Sequence, residues 1–449
     1  DTQTTGETMA TIYPFRALRF RPDKAGAPLE SLITQPYDKI TPEMQERYYS
    51  LSPRNLIRLE LGKREPATET DNVYTRAARW LEDAIQSGVL AADPEPGIYL
   101  YFQEYAVPGT KERRTRKGFI ALGKVEDYEA GVVHRHERTL SGPKADRLEL
   151  LRHTRAHTGQ LFMIYSDAQK EMSRLLEEVA RKEKPQEITD EYGAVHRLWR
   201  VSEAATVERF QKGMADKKLI IADGHHRYET ALAYRNECRQ KTGTANPEAP
   251  HEKVMMTFVH TEQPGVTVLP THRVVSNLAS FDFGVFRDKA DEFFDWYAYP
   301  GADAAAKLQR DLVERGAERA SFGVASVGEA ALYLFLLKVN ADLAKLLPQV
   351  SARQRQLDLV VLHKLLLEHC LGIDEEMVRA GKHLRYLRSA EEALGLVKKG
   401  DAQAAFLVNP VRAELVRDIA LAGEVLPQKS TDFYPKLLSG ITIYRLDAS

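Results

Sequence analysis

The stretch Lys218-Leu219-Ile220-Ile221-Ala222-Asp223-Gly224-His225-His226-Arg227-Tyr228-Glu229-Thr230-Ala231-Leu232 constrains this chain more than any other. Lys218 to Ala222 is a short apolar run that reads as a buried strand, and Tyr228, Ala231 and Leu232 then recur at helical spacing. The period therefore changes from strand to helix around a glycine. Asp223 is of the type that caps helices, and Gly224 supplies the freedom for a sharp turn. The first N–H groups of a helix lack internal partners and carry the positive end of its dipole, which suits a phosphate. His225, His226 and Arg227 add side-chain donors where an oxyanion would sit. A capped helix whose imidazoles satisfy neighbouring polar groups is the competing reading. A third makes Asp223, His225 and His226 ligands of one metal ion, but adjacent helical residues point about 100° apart and seldom share an ion. No metal site is assigned.

Composition narrows the partners. A formal net charge of -1 over 449 residues lacks the basic excess of a dedicated nucleic-acid binder, so none is expected. Cys238 and Cys370 are the two cysteines, far apart and without a C-x-x-C partner, which excludes a disulfide framework and favours a cytoplasmic setting. No run approaches the ~18–20 apolar residues that span a bilayer, so no membrane partner is expected.

Strand and helix patterns alternate without a strict repeat. Asp71 to Gln86 is amphipathic, with Val73, Ala77, Trp80, Leu81, Ala84 and Ile85 at steps of three and four. Ile98 to Tyr105 and Gly118 to Gly123, joined through Pro108-Gly109, read as a hairpin. Leu161 to Tyr165 reads as a buried strand, Glu171 to Ala180 as a helix and Val254 to His260 as a strand. The pattern restarts beyond about Phe281. The expected class is α/β (α+β) with a mixed sheet and a second α/β carboxy-terminal lobe, divided as 9–95, 96–275 and 276–449.

Other polar clusters compete for a role. His134-Arg135-His136-Glu137-Arg138-Thr139 is followed by Gly142-Pro143-Lys144-Ala145-Asp146-Arg147. In a functional reading Glu137 is a general base that takes a hydroxyl proton, with Lys144 and Arg147 on phosphate oxygens. A salt-bridged exposed loop explains the same residues. Thr271-His272-Arg273 offers another polar wall, and Lys429, Ser430, Thr431 and Lys436 lie in a proline-bounded loop before the last strand. Gln35-Pro36-Tyr37-Asp38 is a further rigid polar turn.

At these residues the chain resembles the bacterial and archaeal family called domain of unknown function 1015. The features that carry the resemblance are Pro14-Phe15-Arg16-Ala17 with Pro36-Tyr37-Asp38, His136 to Thr139 with Lys144 and Asp146-Arg147, and the Asp223 to Arg227 turn. Pro270 to Arg273, and Lys429-Ser430-Thr431 with Pro435-Lys436, complete the set. The turn is in addition similar to the phosphate-binding turn of the ParB and sulfiredoxin superfamily, which includes free-serine kinases. That resemblance implies a ParB/sulfiredoxin-like core in which Gly224, His225, His226 and Arg227 hold nucleotide phosphates and Glu137 activates an acceptor hydroxyl. It makes Glu137, His225 and His226 the catalytic candidates, and Asp223, Lys144 and Arg147 further phosphate-binding ones. Sulfiredoxins carry a cysteine where this chain has His225, which argues against their chemistry.

The leading expectation is a nucleotide-dependent kinase, using ATP or ADP with Mg2+, that acts on the hydroxyl of a small metabolite such as serine. A phosphatase of a small phosphorylated metabolite and a non-catalytic nucleotide-sensing module are the alternatives. Assembly with further copies of the chain stays open.

Overall fold

The computed structural model describes residues 10–137 and 141–446. Among them, nine strands build one mixed sheet. They are β1 (Ile12–Tyr13), β2 (Ile98–Ala106), β3 (Arg113–Lys124), β4 (Val133–His134) and β5 (Leu161–Tyr165), then β6 (Gln186–Thr189), β7 (Val195–Val201), β8 (Leu219–Asp223) and β9 (Lys253–His260). Their order across the sheet is β4-β8-β5-β9-β3-β2-β7-β6, with β1 on β3. β4 runs parallel to β8 and β5 parallel to β9, while the other neighbours are antiparallel. The class is thus the expected mixed α/β one.

The helices that bear on the site are α1 (Val73–Gln86), α2 (Ser141–Thr154), α3 (Glu171–Ala180), α4 (Ala204–Met214) and α5 (His225–Thr242). Met172 and Leu176 of α3 and Phe210 and Met214 of α4 join Phe119, Met163, Ile221 and Met256 in one apolar core. Phe119 stands at its centre, with ring centroids 4.9 Å from Phe210 and 5.1 Å from Phe258. α2 packs on α1 and α5. The polar stretch around Lys144 is therefore no loop but the start of a helix. Gly142-Pro143 falls in its first turn, where a proline sacrifices no hydrogen bond, and Leu151 supplies a buried anchor.

The chain divides into two compact units. One reaches to Thr267 and resumes at Pro435, and the other is Val268–Tyr434. β1 pairs with β3, Ile12 opposite Gly123, inside the main sheet and across the expected boundary at 95. Likewise the last stretch returns to the first unit. Leu18 bridges Ile443, Thr34 bridges Ser439, and Tyr444–Arg445 pairs with Ala156–His157. Such partners lie hundreds of residues apart, where no local period encodes them. The second unit has its own antiparallel sheet of six strands, in the order Phe294–Tyr299, Leu332–Leu337, Ser321–Ser326, Ala404–Leu407, His272–Val275 and Leu384–Leu387. Leu308, Leu334, Ala405 and Leu407 form part of its core. No helix among the described residues is long and apolar enough to cross a membrane.

Close backbone approach sets one test of this sheet. A Cβ on Gly118 would stand 2.6 Å from the Phe258 carbonyl oxygen. Gly118→Ala is expected to destabilise the first unit by about 1–3 kcal/mol, the usual cost of overpacking. It should appear as a lower urea midpoint, and an unchanged midpoint would show that β3 and β9 are less closely apposed.

Candidate phosphate-binding site

Leu219, Ile220, Ile221 and Ala222 of β8 are all buried. The register of β8 on β5 slips at its end: Ile221 faces Met163, and Asp223 faces Phe162. Such a bulge bends a strand and re-aims the residue after it. Asp223 consequently closes the strand and does not cap the helix. Gly224 occupies the N-cap position with φ 97° and ψ 26°, left-handed values that favour glycine. The Asp223 carboxylate accepts the Gly224 N–H at 2.8 Å. The expectation of an aspartate cap fails because the bulge moves the strand-to-helix corner one residue on.

α5 runs for 18 residues, and glycine at its N-cap offers no capping side chain. Elsewhere Thr41, Asn72, Asp282, Asp374 and Ser389 each cap a helix start. The helix is fixed near its origin by Tyr228, whose hydroxyl donates to the Glu126 carbonyl at 2.6 Å and accepts its N–H at 3.0 Å. Arg235 adds bonds to the Val125 carbonyl and Asp127 at 2.7 Å each. The turn thus stands on a rigid support.

Cations gather there. Lys436 Nζ lies 2.9 Å from Asp223 Oδ2. Burial alone would raise the Asp223 carboxyl, but Lys436, Arg227 and Lys39 override it and hold the group well below the usual carboxylate range. The Arg227 guanidinium donates to the Gln160 carbonyl and passes over Gly224, within 3.5 Å of where a Cβ would stand. Burial opposes its charge, yet Asp38, Asp223, Tyr37 and Glu60 raise its pKa above the ordinary value.

The histidines behave differently. His136 Nδ1 donates to the Ile221 carbonyl at 2.7 Å, and burial pushes its pKa down to about 4. Its ring meets His225 edge-on, with centroids 4.6 Å apart. Burial, together with His136, holds His225 well below its ordinary pKa. His225 Nε2 is buried and finds no hydrogen-bond partner among the described residues. His226 is half-buried on the same turn.

Arg147, on α2, joins this neighbourhood from the other side. It donates to the Glu60 carbonyl at 2.8 Å and lies over the Tyr37 ring at 4.3 Å. Tyr37, Glu60, Arg147, Thr158, Arg227 and Thr230 line a common cleft. The Glu60 carboxylate is buried and accepts from the Tyr37 N–H at 3.3 Å, the Ser439 hydroxyl at 3.1 Å and the Thr158 hydroxyl. Burial, foremost among several influences, pushes the Tyr37 hydroxyl up to about 12.

Sequence-predicted residues divide accordingly. Asp223 to Arg227, Lys436 and the Tyr37-Asp38 turn meet, and Arg147 lines the cleft with Arg227. Glu137 is half-buried and directly follows His136. Lys144 Nζ stands 3.5 Å from Glu229 Oε2, and Arg135 stands 3.5 Å from Oε1. Thr139 lies outside the described residues. His272, Arg273, Lys429, Ser430 and Thr431 belong to the second unit. There the buried Arg273 donates to the Gln428 and Lys429 carbonyls at 3.3 Å each, and His272 Nδ1 accepts the Val408 N–H at 3.1 Å. Glu60, Lys39 and Glu229 escaped sequence reasoning. Glu229 lies four residues after His225, the helical spacing that puts both on one face, and that signal could have found it. Glu60 carries no local signal, since its hydroxyl partners lie 98 and 379 residues away.

No group of three or more His, Cys, Asp or Glu placed to hold a metal occurs among the described residues. The chain belongs to the family described as "Protein of unknown function (DUF1015)", which matches residues 12–360. No curated protein matches it. Among solved structures, a conserved hypothetical protein from Pyrococcus furiosus is similar at 14% identity and TM-score 0.31, covering 68% of this chain and 90% of its own. A free serine kinase in complex with AMP is similar at 14% identity and TM-score 0.32, with coverages of 69% and 88%. SbnI with a C-terminal truncation, from Staphylococcus aureus, is similar at 11% and 0.33, with coverages of 71% and 85%.

The depressed His136 carries a pH dependence. The unfolded chain takes up this proton near the ordinary histidine value of 6.5 and the folded chain only at about 4, so the unfolded state binds more protons in between. His136 therefore lowers stability as pH falls through that window and leaves it intact above. His136→Gln is expected to make the urea midpoint less steep in pH across it. Equal slopes for both proteins would contradict the buried neutral ring.

Proposed function

We propose that this protein is a nucleotide-dependent phosphotransferase acting on the hydroxyl of a small metabolite, with ATP or ADP as donor and free serine as the first acceptor to try. The observation that carries the reading is the uncapped start of α5, set beside Arg227, Lys436 and the buried Nε2 of His225, which has no partner among the described residues. Helix-start amides, two cationic side chains and a neutral imidazole form a donor set that fits a phosphate group. Phosphoryl transfer requires chiefly such positioned donors and one carboxylate near the acceptor. Bound with its nucleotide, Mg2+ would neutralise charge on the phosphate oxygens.

In this reading Gly224, His225, His226 and Arg227 hold the phosphates, and Lys436 supplies charge beside them. Glu137 follows His136 next to the turn and takes the acceptor proton. The acceptor oxygen attacks the terminal phosphorus, the bond to the bridging oxygen breaks, and the nucleotide leaves one phosphate shorter. Lys144 and Arg135 pair with Glu229 of α5, one helical turn after His225.

Nucleotide binding followed by calorimetry tests the first half. Arg227→Ala and Lys436→Ala are each expected to weaken it about tenfold or more, the worth of a charged hydrogen bond. Glu137→Gln should bind as the parent does but lose about 100-fold or more in transfer to serine. Phosphate released from phosphoserine without any nucleotide would replace this reading with a phosphatase. Nucleotide binding with no transfer to any hydroxyl acceptor would leave a sensing module instead.

A further inference from the structure

Lys436 reaches Asp223 from a segment far along the chain, so something must hold that segment in place. Gln103 and Arg116 stand opposite each other on β2 and β3. Both are only 1% exposed. Arg116 Nε donates to Gln103 Oε1 at 3.0 Å, and its Nη2 donates to the Pro435 carbonyl at 2.5 Å. Gln103 Nε2 donates to the very next carbonyl, that of Lys436, at 2.9 Å. Two consecutive carbonyls are thus gripped by one cross-strand pair. The Arg116 guanidinium also lies 4.4 Å from the ring centroid of Phe162, the residue that faces Asp223 in the sheet.

We infer that Gln103 and Arg116 are positioning residues that set where the Lys436 ammonium stands at the β8–α5 turn. A guanidinium buried in a sheet costs far more than an apolar side chain of similar volume, and that cost has to be offset by bonds it alone can make. Here the guanidinium bonds the Pro435 carbonyl and Gln103, and the Gln103 amide it orients bonds the Lys436 carbonyl. Tyr101 and Gln160 continue the grip two residues later. The Tyr101 hydroxyl accepts the Leu438 N–H at 3.4 Å, and Gln160 Nε2 donates to the Leu438 carbonyl at 3.2 Å. The role of Lys436 toward phosphate rests on the proposed function, but its position can be measured without that.

The measurement is the rate at which an amine-acylating reagent modifies Lys436, read by mass spectrometry in the full chain. Lys253 is the internal control, because its side chain is 11% exposed against 10% for Lys436 and it is paired in the same way, to Glu248. Gln103→Glu keeps an acceptor for Arg116 and removes the donor to the Lys436 carbonyl. Arg116→Gln removes the grip on Pro435. Both are expected to speed modification of Lys436 severalfold with Lys253 unchanged. No change at Lys436, or an equal rise at both lysines, would overturn the inference. A parallel arm adds ATP to the parent protein, where slower modification of Lys436 is expected. If ATP has no effect while the variants behave as described, the phosphate reading fails and the positioning role stands.

Discussion

The Asp223 carboxylate and the Lys436 ammonium form the contact on which the site depends. A helix start, with Arg227 and Lys39 beside it, concentrates positive charge where a strand ends. Asp223 balances part of that charge and at the same time takes the Gly224 N–H, which fixes the corner. Removing Lys436 would take away the closest of the three cations that compensate the Asp223 carboxylate, leaving Arg227 and Lys39. Their union also ties the chain's last segment to its central turn.

The cations and the imidazoles do different work. Asp38 and Asp223 hold the buried Arg227 pKa above its ordinary value, and the Lys436 ammonium stands beside Asp223. His136 and His225 are driven neutral by burial, which turns them into directional hydrogen-bonding groups. With His136 committed to the Ile221 carbonyl, its ring fixes how His225 packs. In the proposed reading, charged groups of the first kind hold the phosphates and the neutral rings orient them.

Much of the scaffold was legible because it is encoded locally. The strand Leu161–Tyr165 and the helix Glu171–Ala180 have the bounds their apolar periods predict. Reading failed where local preference competes with context. Asp223 has the chemistry of a cap, yet the slipped register of β8 makes it the strand's last residue. Lys144 to Arg147 reads as a polar loop, yet Leu151 and the neighbouring α1 and α5 recruit it into a helix.

The sequence by itself determined the strand-glycine-helix turn, the mixed α/β class and the candidate set around Asp223 to Arg227. Each follows from periodicity and from the conformational range of one glycine, both properties of neighbouring residues. Only the tertiary structure decided that Lys436, Glu60 and Tyr37 meet that turn while His272 and Arg273 belong to another unit. Those choices depend on strand order and on bridges such as Thr34 to Ser439. Pairings across hundreds of residues are set by how whole surfaces bury one another, and no short stretch of sequence carries them.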